Sequence, residues 1–307
     1  MSGLQKDCGL VMDEMSLDEC QEYCQNTKQL VGTTTLPSSC HLATKGLVLM
    51  LVGISDRSKQ VVGFEFTSSS FPRNCLKQLV IETIHNAETI GLRVHFLTSD
   101  SGAENQRMWS DLGVNFGKEA AKWDQSIPHL MDKNRELEII PDPVHVFKNL
   151  AHGWINNKFM TLPDWYVAKN GLTSNEMLRD HLRTLVNFEK GNQLRMCHRL
   201  TEDDVNFENP ISSVDKMKVC NATKFCNTAV AAALRVVASE TGQFALNSTA
   251  RVIEDIANWF NVINNRNKED GLSKTSNDEF AFKISKLEDM VKLVLELKVG
   301  DTGRWKP

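Results

Sequence analysis

The 307 residues contain no G-x-x-x-x-G-K-[ST] run, so a P-loop is excluded and any nucleotide site must be of another kind. No apolar stretch approaches the roughly 18 residues that a membrane-spanning helix needs. The amino terminus has no charged segment leading into an apolar one, so no secretory leader is expected. Positive charge is not in excess: the formal net charge is -4 and the pI about 6.1. No global field therefore draws polyanions to the chain, and a nucleic-acid role has to rest on a local basic face or a neighbouring segment. No internal repeat is visible. The expectation is a soluble, intracellular protein.

Hydrophobic residues make up 41% of the chain and charged residues 24%, close to globular averages. The length suits one large domain or two of ordinary size. Cysteines stand at 8, 20, 24, 40, 75, 197, 220 and 226. With no leader ahead of them, free thiols are expected. Cys20-x-x-x-Cys24 with Cys40-His41 is too loosely spaced for a zinc site and reads as unrelated cysteines. Cys197 and His198 are adjacent, and adjacent residues do not face each other as nucleophile and base.

Apolar patterning divides the chain. Leu10 to Met12 is a short apolar run that ends on Asp13 and Glu14. "GLVLMLVGIS" (46–55) and "QVVGFEF" (60–66), joined by the turn "SDRSK", read as a hairpin of central strands. Leu76, Leu79, Val80, Ile84, Ala87 and Ile90 recur at three- and four-residue intervals between Pro72 and Gly91, which predicts an amphipathic helix over 71–91. Strands follow at 92–100 and 137–140, the latter stopping at Pro-Asp-Pro before a helix. Segments 172–190, 214–239, 245–266 and 278–298 have helical character. The tail "KVGDTGRWKP" reads as turns with no closing strand, as if the chain were cut there. Domains are expected at 1–150, α/β, and 151–307, mostly helical.

Three predicted strands end on acids: Asp13, Asp100 and Asp142. In open α/β sheets, ligands gather outside the carboxyl ends of the strands. Carboxylates collected there repel one another unless a divalent cation lies between them. Two such ions can clamp the attacking and leaving oxygens of a phosphoryl displacement. The plainer alternative is that Asp100 opens the turn "SDSG" or caps the next helix. Glu14 and Glu104 stand close by as supporting acids or as solvated turn residues.

"CGLVMDEMSL", "GLRVHFLTSDSGAENQRMWSDLGV" and "IIPDPVHVFKNL" resemble three successive blocks of the P element transposase family, which includes THAP-domain-containing transposase-like proteins. The tail "GDTGRWKP" resembles that family too. The resemblance implies an α/β RNase H-like core, a mixed sheet with flanking helices, followed by a mainly α-helical GTP-binding insertion domain. It implies Asp13 and Asp100 as catalytic ligands of Mg²⁺ or Mn²⁺, with Asp142 and His145 structural or beside the site. The ancestral reaction is DNA strand cleavage and transfer at transposon ends, in the nucleus, by a chain that can self-associate. The family's third catalytic acid, a glutamate, lies beyond the block that "GRWKP" resembles, and its zinc-coordinating DNA reader lies ahead of Asp13. The expectation is therefore a catalytically incomplete transposase relative, or a non-catalytic remnant that binds partners.

For GTP, the resemblance points to "KMKVCNATKFCNTAVAAAL" (216–234), with Lys218 and Val219, and to "NWFNVINN" (258–265), with Phe260, Asn261 and Asn264. The family has an aspartate where Asn261 stands. Lysine can pair with phosphate and an aromatic ring can stack on a purine. Val219 and Phe260 equally fit helical core stripes.

Overall fold

A computed structural model describes residues 3–56, 58–68, 72, 74–114, 125–208, 218–265, 271–272, 276–300 and 303–304. The chain divides into two compact units, residues 1–142 and 143–307.

In the first unit, β1 (Asp7–Ser16) buries Leu10 and Met12 and runs on past Asp13. Two small hairpins follow, β2 (Glu22–Cys24) with β3 (Gln29–Val31) and β4 (Thr33–Thr35) with β5 (Ser38–Leu42). Sequence patterning gives no sign of them, because the strands are short and largely exposed. Next come β6 (Lys45–Gly53), β7 (Lys59–Thr67), α1 (Cys75–Thr89), β8 (Arg93–Ser99), α2 (Ala103–Leu112), β9 (Ser126–Pro128) and β10 (Glu136–Pro141).

The main sheet has the order β7-β6-β1-β8-β10-β9. β1, β8 and β10 are parallel, and the other neighbours are antiparallel. The hairpin expected from 46–66 is present, but β7 is an edge strand rather than a central one. Val61, Val62 and Phe64 are exposed, so its apolar residues report β propensity and not burial. α1 buries Leu76, Val80, Ile84 and Ala87, while Ile90, just past its end, is exposed. Gly9 sits at an irregularity in the β1/β8 register, where a Cβ would lie 2.1 Å from the Phe96 ring. Only glycine lets that ring cover the strand.

The second unit contains α3 (Pro143–Asn156), β11 (Phe159–Thr161), α4 (Asp164–Asn170), β12 (Glu176–Leu178), α5 (Asp180–Phe188), α6 (Val219–Phe225), α7 (Thr228–Thr241), α8 (Leu246–Ile263), α9 (Asn277–Glu296), β13 (Lys298–Val299) and β14 (Gly303–Arg304). It is mainly helical, as expected, around a core that includes Phe147, Trp154, Leu185, Leu234 and Ile253.

Three expectations change here. The segment 172–190 opens with strand β12 before α5. The helix expected over 214–239 is two helices, because the Asn227 side chain accepts the Val230 N–H at 2.9 Å and starts a new one; residues 214–217 lie outside those described. The tail is not bare turn: β13 pairs with β11 and with β14, completing a sheet of order β12-β11-β13-β14. Residues 305–307 lie outside the described set. No helix among the described residues is long and apolar enough to cross a membrane.

Candidate functional site

Register determines where the predicted carboxylates stand. Val11 faces Thr98 in the last step of the parallel β1/β8 ladder, and Asp13 in β1 and Asp100 just past β8 each follow two residues further on. Asp142 follows β10 on the other side of β8, its N–H bonded to the Ser99 carbonyl at 2.9 Å. The acids predicted at three strand ends thus stand at one edge of one sheet. Among the described residues, however, no three His, Cys, Asp or Glu side chains converge closely enough to hold an ion together. Asp142 therefore makes no three-acid site with Asp13 and Asp100.

The two aspartates differ in their surroundings. Asp13 is exposed, and its Oδ1 accepts the Glu14 N–H at 2.9 Å. Asp100 is half-buried, and its Oδ1 accepts two hydrogen bonds, from Gly102 N at 2.9 Å and from Asn105 Nδ2 at 2.5 Å. The turn-forming role weighed for Asp100 is therefore real, but it occupies one oxygen only. Glu14 lies 2.6 Å from the Lys45 ammonium, and Glu104 is paired with Arg107 at 3.0 Å. Both glutamates are neutralised by their own cations. Two oxygen-bearing acids at one edge of a sheet suit a hard divalent cation such as Mg²⁺ or Mn²⁺, which takes one or two carboxylates and completes its shell with water and phosphate oxygens.

The five residues indicated for a nucleotide are not in equivalent places. Phe260 is buried and stacks on Phe147, with centroids 4.1 Å apart and planes 16° from parallel. It belongs to the core stripe Val252, Ile253, Ile256, Ala257 of α8. Val219, in the first turn of α6, packs half-buried against the same core, and Lys218 is the exposed residue preceding that helix. Asn264 is exposed at the end of α8. Asn261 lines a cavity of about 770 Å³ bounded by α4, α8 and α9, which Lys218, Val219, Phe260 and Asn264 do not line.

Sequence reading missed that cavity's aromatic residues, Trp165 and Trp259 among them, and its cations, Arg251 among them. A signal existed in the helical phase: with Ile253, Ile256 and Phe260 on the buried face, Trp259 has to lie on its flank. The cavity's ion pairs are tight. Lys169 meets Asp289 at 2.6 Å, Lys283 meets Glu279 at 2.9 Å, and Arg251 meets Asp255 at 2.9 Å. The Tyr166 hydroxyl donates to Asp255 Oδ2 at 2.5 Å, and burial pushes its pKa well above the usual phenol range.

Comparison with known proteins agrees with this architecture. Residues 1–113 match the TNP-like RNase H N-terminal domain, and residues 161–276 match the TNP-like GTP-binding insertion domain. The Transposable element P transposase of Drosophila melanogaster is 21% identical over 264 residues, covering 85% of this chain and 30% of that protein. The solved Drosophila P element transposase strand transfer complex is similar in fold, with a TM-score of 0.72 at 18% identity over 95% of this chain and 59% of that one. The chain thus spans under a third of the curated relative's length and somewhat over half of the solved chain's. On these matches the chain belongs to the TNP-like family of P element transposase relatives, with an RNase H-like amino-terminal domain and a GTP-binding insertion domain.

Proposed function

We propose that this chain is the core of a P element-type transposase, holding a divalent cation between Asp13 and Asp100 for DNA strand cleavage and transfer, and a guanine nucleotide in the second unit. The observation that carries the first half is the parallel β1/β8 register, beyond whose Val11/Thr98 pair Asp13 and Asp100 each lie two residues. When bound, such a cation supplies Lewis-acid stabilisation of phosphate oxygens. The chain's own part is to present one carboxylate from within β1 and one from just past β8, to keep Glu14 and Glu104 occupied by Lys45 and Arg107, and to hold Asp100 by one oxygen.

Calorimetric titration with Mn²⁺ tests this half. The full chain should release or absorb heat that Asp13→Asn with Asp100→Asn abolishes; equal heats from both proteins reject it. A second reading, a relative that binds DNA or protein without cutting, is favoured by the acids: among the described residues no three His, Cys, Asp or Glu side chains come together as a metal site.

The match to the GTP-binding insertion domain supports the second half. The cavity offers what a purine nucleotide needs: Trp165 and Trp259 for the base, Asn258 and Asn261 for its polar edge, Lys286 and Arg251 for phosphate. GTP should raise the thermal midpoint through mass action on the folded state and ATP should not. No shift at millimolar GTP rejects the nucleotide.

A further inference from the structure

We propose that Asn105 is a positioning residue that orients the Asp100 carboxylate toward a divalent cation. The role rests on the metal reading above and adds to it a residue that does not itself touch the ion. Asn105 lies in the first turn of α2, 8% exposed, with its Nδ2 2.5 Å from Asp100 Oδ1. The Gly102 N–H reaches the same oxygen at 2.9 Å. Two donors from different directions on one oxygen fix the plane of a carboxylate. Both bonds fall on Oδ1, so Oδ2 is the oxygen left to face a ligand.

The chemistry of the donor matters as much as its place. A lysine or arginine here would compete with a cation for the carboxylate, as Lys45 does for Glu14 at 2.6 Å. An aspartate would repel Asp100. A side-chain amide donates without charge, so it holds the carboxylate and leaves its negative charge to attract the metal. Its own support is rigid. Met108 and Trp109, on the next turn of α2, are each 2% exposed, and Lys77 Nζ of α1 donates to the Asp111 carbonyl at 2.5 Å. Gly102 completes the arrangement, because a Cβ there would stand 3.0 Å from Asp100 Oδ1 and crowd the bonded oxygen.

Ligand-orienting partners of this kind typically change metal affinity by about 10- to 100-fold when removed. The test is Mn²⁺ calorimetry on the full chain as wild type, Asn105→Leu, Asn105→Ala, Asp100→Asn and the Asp100→Asn/Asn105→Leu double variant, each with a thermal melt to establish folding. Asn105→Leu keeps the branched shape and loses the donor; Asn105→Ala serves if the bulkier leucine is not accommodated. The expected result is Mn²⁺ binding weakened about 10- to 100-fold by loss of the amide. In the Asp100→Asn background, removing the amide should change affinity no further. A merely structural amide would lower the melting temperature and leave Mn²⁺ affinity of the folded protein at the wild-type value, which overturns the proposal. If wild type binds Mn²⁺ no better than Asp100→Asn, the metal site itself fails and the positioning role falls with it.

Discussion

Phe147 and Phe260 stack face to face in the core of the second unit, 4.1 Å between centroids. An aromatic pair in this geometry contributes about 0.5–1.5 kcal/mol beyond the area it buries. The ring that sequence resemblance offers to a purine is thus already covered by another ring. Phe260→Ala should therefore act on folding, costing about 3–5 kcal/mol as a large-to-small core change, read by chemical denaturation.

Trp259, one residue earlier, lines the cavity instead. Trp259→Ala should leave most of the stability intact while reducing the thermal shift that GTP produces. If the alanine at 260 abolishes the GTP response in protein that is still as stable as wild type, the base lies against Phe260 and the cavity assignment is wrong.

Tyr166 supports the same cavity wall. Its hydroxyl, buried with the ring, donates to Asp255, which Arg251 also holds. Hydrogen bonds to charged groups contribute about 1.5–3 kcal/mol. Tyr166→Phe should lower the unfolding free energy by about that much, with the denaturant slope unchanged because the surface exposed on unfolding is the same. A variant equal to wild type would mean that Arg251 alone satisfies Asp255.

The cysteines should separate by reactivity. Burial pushes the thiols of Cys8 up to about 11 and of Cys197 and Cys226 up to about 12. A hydrogen bond from the Thr27 side chain, joined by the N–H groups of Thr27 and Asn26, holds the half-buried Cys24 thiol below its ordinary value. The thiolate is the nucleophile, so brief treatment of the native chain with iodoacetamide near neutral pH should label Cys24 ahead of those three. Mass spectrometry of the digest reads the order, and Thr27→Val should slow the labelling of Cys24. Equal rates at Cys24 and Cys226 would contradict the burial on which the order rests.

The strands and helices of the first unit were largely legible because each is long and strongly patterned: Leu10 to Met12, the 46–55 run and the Leu76–Ala87 periodicity all lie in its core. Register was not. Nothing in "VMDEMS" or "LTSDSG" states that the two segments run side by side in parallel with Val11 facing Thr98; the resemblance supplied the pairing and the sheet supplied the geometry. The small hairpins of 22–42 and the strands β13 and β14 escaped because two- and three-residue ladders carry too few side chains for a period to show. Asn105 escaped for a different reason. A hydrogen bond five residues along from Asp100 depends on the turn between them, and only a folded backbone sets that turn.

Two histidines, His129 buried and His181 half-buried, make stability depend on pH. His129 is enclosed between Glu88, Asp132 and Arg135; its Nδ1 accepts the Met131 N–H at 3.1 Å, so Nε2 carries the proton and faces the Val94 carbonyl at 3.1 Å. Burial, helped by the Arg135 charge, lowers its pKa against the opposing pull of Glu88 and Asp132. In the second unit, His181 Nδ1 and the Thr249 hydroxyl are hydrogen-bonded at 2.7 Å, and that hydroxyl also accepts the Leu178 N–H. Burial lowers the His181 pKa too, against Asp180. For both groups the folded pKa lies below the unfolded value of about 6.5, so the unfolded chain binds protons that the folded chain refuses as pH falls below about 6.5. Their contribution is complete above that pH and is lost on acidification. Denaturation at pH 7.5, 6.5 and 5.5 should show stability falling with pH, and His129→Gln or His181→Gln should flatten the slope even where it lowers stability at pH 7.5. A slope unchanged by both substitutions would place the acid sensitivity in other groups.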